Sequence, residues 1–236
     1  MVRCLICHEK TQAKLSWGAI FLGSEEELVC ERCEEGLELL NGERCELCSR
    51  VLGDTWRSST RPICLDCEKW TQHETAKDLL VKNTSLYAYN ETMKEWLAQY
   101  KFQGDAEVSR YFSTKLKSFY AKNFRDYSPV LMPLSNERLH ARGFNQVELI
   151  TKEWLAPIVM LGRRESEQQS KKKRYARISQ VNQSPFYIQS GIDSLKTLKK
   201  VVLLDDVYTT GTTVRQAAFV LKKHGAEHIE SLTLAR

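Results

Sequence analysis

The sequence predicts an α/β fold, a mostly parallel sheet with flanking helices, preceded by a small cysteine-rich N-terminal domain. Two observations carry this. Strand-like and helix-like segments alternate after residue 129, the pattern that builds parallel sheets. All eight cysteines fall between Cys4 and Cys67, and none follows in a chain of 236 residues. Charge divides along the same line: residues 1–80 carry 10 basic and 15 acidic side chains, and the remainder carries 25 basic and 15 acidic ones. Two compositional regimes place the boundary near residue 76, giving a 1–76 domain and a 77–236 domain. Hydrophobic residues make up 42% of the chain, enough for a packed core. No apolar run approaches the roughly 20 residues of a membrane-spanning helix, and Met1-Val2-Arg3-Cys4 does not read as a secretory signal. The expectation is a soluble cytoplasmic protein whose basic larger domain meets an anionic partner.

The cysteines form four C-x-x-C pairs: Cys4/Cys7, Cys30/Cys33, Cys45/Cys48 and Cys64/Cys67. Two residues between thiols let both sulfurs turn onto one ion, and two such knuckles complete a tetrahedral four-thiolate zinc site. The 15 residues between Cys48 and Cys64 suit a zinc ribbon, and the 22 between Cys7 and Cys30 are slightly long. Eight thiols predict two zinc ions, paired sequentially or interleaved. Disulfides need an oxidising compartment, and a redox C-x-x-C is ordinarily a single pair. His8 and His73 flank the cluster and read as surface side chains. With few large apolar residues, segment 1–76 depends on metal for folding, and its acidic charge suits protein docking better than phosphate gripping.

In the larger domain, Leu86-Tyr87-Ala88-Tyr89 reads as a strand. Residues 91–102 have helical spacing through Met93, Leu97 and Tyr100, and a second helix over about 105–124 presents Val108, Phe112, Leu116 and Phe119 on one face. A short buried strand, Val130 to Pro133, leads into a polar loop through Arg142-Gly143. A helix from Asn145 to Leu155 precedes the apolar run Ile158 to Leu161. Residues 163–177 are strongly basic and predict a mobile loop. A strand at Val201–Leu204, a helix from Thr213 to His224 capped by Gly225, and a last strand at about 228–234 finish the chain.

The segment Val201 to Thr213 is the most informative. A hydrophobic strand ends in the carboxylates Asp205 and Asp206. Then comes the loop Thr209-Thr210-Gly211-Thr212-Thr213, and a helix begins. Ligands gather at the carboxyl ends of parallel strands. Such a loop offers backbone N–H groups, hydroxyls and a helix N-terminus to a phosphate, with Gly211 permitting close approach. Adjacent carboxylates suit the vicinal hydroxyls of a ribose, as acceptors. The pattern predicts a ribose 5-phosphate cradle, and it lacks the Gly-Lys-Ser/Thr ending of a nucleoside-triphosphatase loop.

This segment resembles the phosphoribosyl pyrophosphate (PRPP) motif of type I phosphoribosyltransferases. The whole chain resembles the ComF family, the ComFC late-competence proteins of DNA uptake. The resemblance rests also on the cysteine knuckles, Tyr100-Lys101-Phe102-Gln103-Gly104-Asp105, Met132-Pro133-Leu134 and Arg138 through Arg142-Gly143-Phe144-Asn145-Gln146. Further matching pieces are Gln169 through Arg177, Asn182 to Phe186 and the ending Leu232-Thr233-Leu234-Ala235-Arg236. It implies a type I phosphoribosyltransferase-like fold behind a zinc module. By position, Asp205 and Asp206 would contact the ribose of magnesium–PRPP, and Thr209, Thr210, Gly211, Thr212 and Thr213 would hold its 5-phosphate. The loop after Pro133 corresponds to the pyrophosphate loop of the enzymes, which carries small residues where this chain has Asn136, Glu137 and Arg138. Residues 163–177 correspond to the flexible hood.

Two functions follow from the resemblance. In the first, the protein handles incoming single-stranded DNA during natural transformation, beside a ComFA-like, helicase-type ATPase at the inner face of the membrane. Arg138, Arg142, Lys171, Lys172, Lys173, Arg174 and Arg177 would then neutralise strand phosphates. In the second, it is an active phosphoribosyltransferase that moves ribose 5-phosphate from PRPP to a nucleobase-like acceptor.

Overall fold

In the computed structural model the described residues are 2–11, 29–53, 57–58, 61–102, 106–165, 181, 184–189 and 198–236. Strands β1 (Val2–Arg3) and β2 (Lys10–Thr11) form a small antiparallel pair, followed by helices α1 (Glu31–Glu35) and α2 (Leu65–Gln72). Next come β3 (Asn83–Tyr87), α3 (Glu91–Phe102), α4 (Ala106–Asn123), β4 (Ser128–Leu131), α5 (Asn136–Arg142) and α6 (Gln146–Thr151). The chain continues through β5 (Leu161–Arg163), β6 (Phe186–Ile188), β7 (Lys200–Val207), α7 (Thr212–Lys223) and β8 (His228–Ala235).

The central sheet has the order β3-β8-β7-β4, and every neighbouring pair in it is parallel. This bears out the predicted fold class. Strand β7 is central, and Val201, Val202, Leu203 and Leu204 are all buried, because helices cover both faces of the sheet. The pleat sends successive residues to opposite faces. Val130, Val201, Leu203 and Ile229 join one core with Val214, Ala217 and Leu221 of α7. Leu131, Val202, Leu204 and Leu232 join the other, with Trp96, Leu97 and Phe112 of α3 and α4.

Strand β3 begins three residues before the apolar stretch that marks it in sequence. Its polar start is buried and satisfied by β8. Asn83 Nδ2 donates to Ser85 Oγ at 2.8 Å, Ser231 Oγ donates to Asn83 Oδ1 at 2.8 Å, and the Ser85 and Thr233 hydroxyls lie 2.7 Å apart. A second difference lies after β4. The segment expected as a polar loop through Arg142-Gly143 contains α5, bounded by a Ser135 side chain that accepts from Arg138 N and by Gly143 in the left-handed conformation, φ 75°. The expected helix 145–155 is α6, which ends at Thr151. Arg163, expected in a loop, closes β5, which pairs antiparallel with β6. Residues 166–180 lie outside the described residues. Among the described residues, no helix is long and apolar enough to cross a membrane.

Candidate functional site

The site begins where β7 leaves the sheet. Asp205 accepts a hydrogen bond from the backbone N–H of Asp206 at 2.9 Å, which turns the two carboxylates against the strand end. Burial, then the neighbouring Asp206, push Asp205 up to about 7, while the Asp206 N–H, Lys101 and Arg163 act the other way. Lys101, from the last turn of α3, pairs with Asp206 at 2.5 Å. Beyond them the loop turns through Gly211, φ 79°, which serves as N-cap of α7. A side chain could not replace that hydrogen: a Cβ there would lie 2.1 Å from the Tyr208 hydroxyl. The hydroxyls of Thr210 and Thr212 lie 3.0 Å apart. The backbone N–H groups of Thr209, Thr210 and Gly211 have no hydrogen-bond partner among the described residues. Three such donors at the start of a twelve-residue helix have the chemistry to receive an anion.

The facing wall is built from the chain after β4. Asn145 Nδ2 donates to the Met132 carbonyl at 3.0 Å, while its Oδ1 caps α6. The Tyr100 hydroxyl donates to the Gln146 carbonyl at 2.7 Å, tying α3 to the same turn. Arg142 donates to Gln146 Oε1 at 2.9 Å, and Arg163 stacks over Phe186 at 5.4 Å. These residues and the phosphate-type loop enclose one cavity of about 720 Å³. Burial, and then the charge of Arg138, pull Arg163 below its ordinary value, and in Arg142 the same effects are opposed by Asp206. Crowded cations of this kind would be relieved by a multiply charged anion.

Asp205, Asp206, Thr209, Thr210, Thr212 and Thr213 line this cavity, with Gly211 forming the turn between them, and Arg138 and Arg142 line it from the opposite side. Lys171, Lys172, Lys173, Arg174 and Arg177 lie outside the described residues. Lys101 and Arg163 line the cavity too, unassigned by sequence reasoning. Lys101 stands inside the Tyr100–Asp105 stretch already noted for its resemblance. Arg163 closes an apolar run, a position that signals a strand end rather than a loop.

The cysteines pair sequentially. Cys4, Cys7, Cys30 and Cys33 form one tetrad, and Cys45, Cys48, Cys64 and Cys67 the other, with sulfurs in each lying within 4.8 Å of one another. A tetrahedral four-thiolate zinc site requires sulfurs about 3.8 Å apart. Cys7 and Cys30 are 3.7 Å apart and Cys48 and Cys64 3.6 Å, and all eight are free thiols, so both sets fit zinc. Hydrogen bonds from Cys45, Cys64 and Cys67, with the charge of Arg236, push the Cys48 thiol down toward the thiolate a metal binds. The two tetrads are consistent with two zinc ions.

Residues 163–236 match the family model described as phosphoribosyl transferase domain. Over 99% of its length the chain is 36% identical to competence protein ComFC of Bacillus subtilis (strain 168), covering 94% of that protein. It is also 30% identical to competence protein ComFC of Streptococcus pneumoniae (strain ATCC BAA-255 / R6), over 100% of both chains. With a parallel sheet ending in Asp205 and Asp206, two cysteine tetrads and full-length likeness to these relatives, the chain belongs to the ComFC family of competence proteins and carries a phosphoribosyltransferase-like domain.

Proposed function

We propose that this protein handles single-stranded DNA entering the cell during natural transformation, and that its cleft binds PRPP, with magnesium, or another ribose 5-phosphate. The observation that carries the reading is a single 720 Å³ cavity with two unlike walls. One wall is the carboxylate pair and the Thr209–Thr213 loop, suited to ribose and its 5-phosphate. The other is Arg138, Arg142 and Arg163, suited to a diphosphate or to strand phosphates. Arg138 is exposed, so a strand can follow the basic side of the cleft outward from Arg142. The relatives' name, competence protein, supports the pathway. The acidic cysteine-rich region is a docking surface for a helicase-type, ComFA-like ATPase.

The test is a fluorescence anisotropy titration with labelled single-stranded and duplex DNA, with and without magnesium–PRPP. Binding that prefers the single strand and weakens with salt supports the reading, and a shift with PRPP links the two ligands. Arg138→Ala with Arg142→Ala should lower affinity for the single strand and reduce the salt slope by about 1.4. No binding at modest salt would remove the DNA assignment.

The facing carboxylates and guanidiniums favour a second reading, a phosphoribosyltransferase. A nitrogen nucleophile would bond to the anomeric carbon as the bond to the pyrophosphate oxygen breaks, the electron pair leaving with pyrophosphate. Arginines at the diphosphate would stabilise that charge. Pyrophosphate release from PRPP with a panel of bases tests it, and Asp205→Asn with Asp206→Asn should abolish any release.

A further inference from the structure

The phosphate-type loop is held from behind by the second cysteine tetrad. Cys64 is the N-cap of helix α2, and Cys67 and Trp70 within it stand one turn apart on the same face. Trp70 is 1% exposed, and its indole Nε1 donates to the Thr210 carbonyl at 2.8 Å. The Arg215 guanidinium stacks on the Trp70 ring at 4.5 Å and donates to the Tyr208 hydroxyl at 2.7 Å and the Gly211 carbonyl at 3.4 Å. Arg236 lies over the Tyr208 ring at 5.2 Å, and its Nε and Nη2 both donate to Cys48 Sγ at 3.3 Å.

The buried Arg215 guanidinium and the half-buried Arg236 need negative charge nearby, and a zinc held by four thiolates carries a net charge of about −2. The carbonyls of Thr210 and Gly211 therefore face the tetrad side, while the N–H groups of Thr209, Thr210 and Gly211 have no partner among the described residues. The first tetrad has no comparable path. Among the described residues, no hydrogen bond joins residues 2–11 or 29–41 to residues 208–213.

We infer that Trp70 and Arg215 are positioning residues through which metal at Cys45, Cys48, Cys64 and Cys67 sets the conformation of the Thr209–Thr213 loop, and with it the affinity for a phosphate monoester. The first tetrad does not take part. The affinity half rests on the phosphate-binding reading proposed above. The conformational half does not.

The experiment combines hydrogen exchange of residues 205–216 with calorimetric titration of ribose 5-phosphate, on the full zinc-loaded chain. Trp70→Phe keeps the stacked ring and removes only the indole donor. It should retain two zinc ions, speed exchange in the loop at least tenfold, and weaken ribose 5-phosphate about fivefold, as expected for one lost hydrogen bond. Cys67→Ser should lose one zinc ion and speed exchange in the loop more than in β7 and β8, and Cys30→Ser should lose one zinc ion with loop exchange unchanged relative to those strands. In the wild-type chain labelled with 5-fluorotryptophan, the Trp70 fluorine signal should shift on adding ribose 5-phosphate, a signature that survives if a variant folds poorly. Loop exchange unchanged relative to β7 and β8 in both Trp70→Phe and Cys67→Ser, or an equal relative acceleration by Cys30→Ser, would overturn the inference. Loop exchange that responds in a wild type that does not bind ribose 5-phosphate would keep the coupling and discard the phosphate reading.

Discussion

At the residue scale, Asp205 decides how the cleft responds to pH. Its carboxyl titrates near 7 rather than at the ordinary 3.8, so the folded protein holds a proton that the unfolded chain has released. The group's contribution to stability is therefore complete below about pH 4 and is lost as pH rises through about 7. Ligand binding runs the other way, because only the ionised carboxylate is a full acceptor for ribose hydroxyls. The Asp205 ionisation should make ribose 5-phosphate affinity climb with pH, contributing at most about tenfold per unit, and this contribution should level off above about 7. Calorimetric titrations at several pH values read this directly. Asp205→Asn should flatten the profile to what remains from the phosphate's own ionisation near 6, and should raise the melting temperature at pH 8 but not at pH 4. Asp205, Asp206 and the Thr/Gly loop are legible in the sequence because an apolar strand, an acidic pair and a turn glycine follow one another locally. Lys101 is not. Its pairing with Asp206 joins residues 105 positions apart, and only the packing of α3 beside β7 brings them together.

At the scale of single elements, α5 holds two of the cleft's cationic residues, and it does so with little help from the core. None of its residues is buried, so its ends determine whether it forms. Ser135 caps it through a 3.4 Å hydrogen bond from Arg138 N, and Gly143 closes it at φ 75°. Ser135→Ala should cost about 0.5–1 kcal/mol, and Gly143→Ala about 1 kcal/mol because alanine tolerates that backbone poorly. Urea denaturation measures both, and each variant should weaken pyrophosphate binding without touching a cationic side chain. Both caps are visible in the sequence. Their meaning is hidden because Leu139 and Ala141 are the only apolar residues between them and set no helical period, which reads as loop. Strand β3 starts ahead of its apolar stretch for a related reason: Asn83 and Ser85 look like turn residues until Ser231 and Thr233 of β8 satisfy them.

At the scale of the whole molecule, the two tetrads clasp opposite faces of one sheet. Cys45, Cys48, Cys64 and Cys67 share a core with Val201, Leu203, Ile229 and α7. Cys4 shares the other core with Val202, Leu204 and Leu232, and Cys7, Cys30 and Cys33 pack against it. The change in composition near residue 76 is real, yet packing runs across it, because neither cysteine module has enough apolar residues of its own to bury. Metal and sheet should therefore fold as one cooperative unit. A structural zinc site contributes about 10–16 kcal/mol in small peptides, comparable to the 5–15 kcal/mol that stabilises an entire domain. Stripping both ions with a strong chelator should thus collapse near-ultraviolet circular dichroism from Trp96 and Phe112, which lie in the α3–α4 core, together with the signal from Trp70. Elemental analysis should count two zinc ions per chain before treatment, and one transition should describe the loss. Survival of the Trp96 environment after complete zinc removal would mean that the sheet and its helices stand alone, with the tetrads merely attached to them.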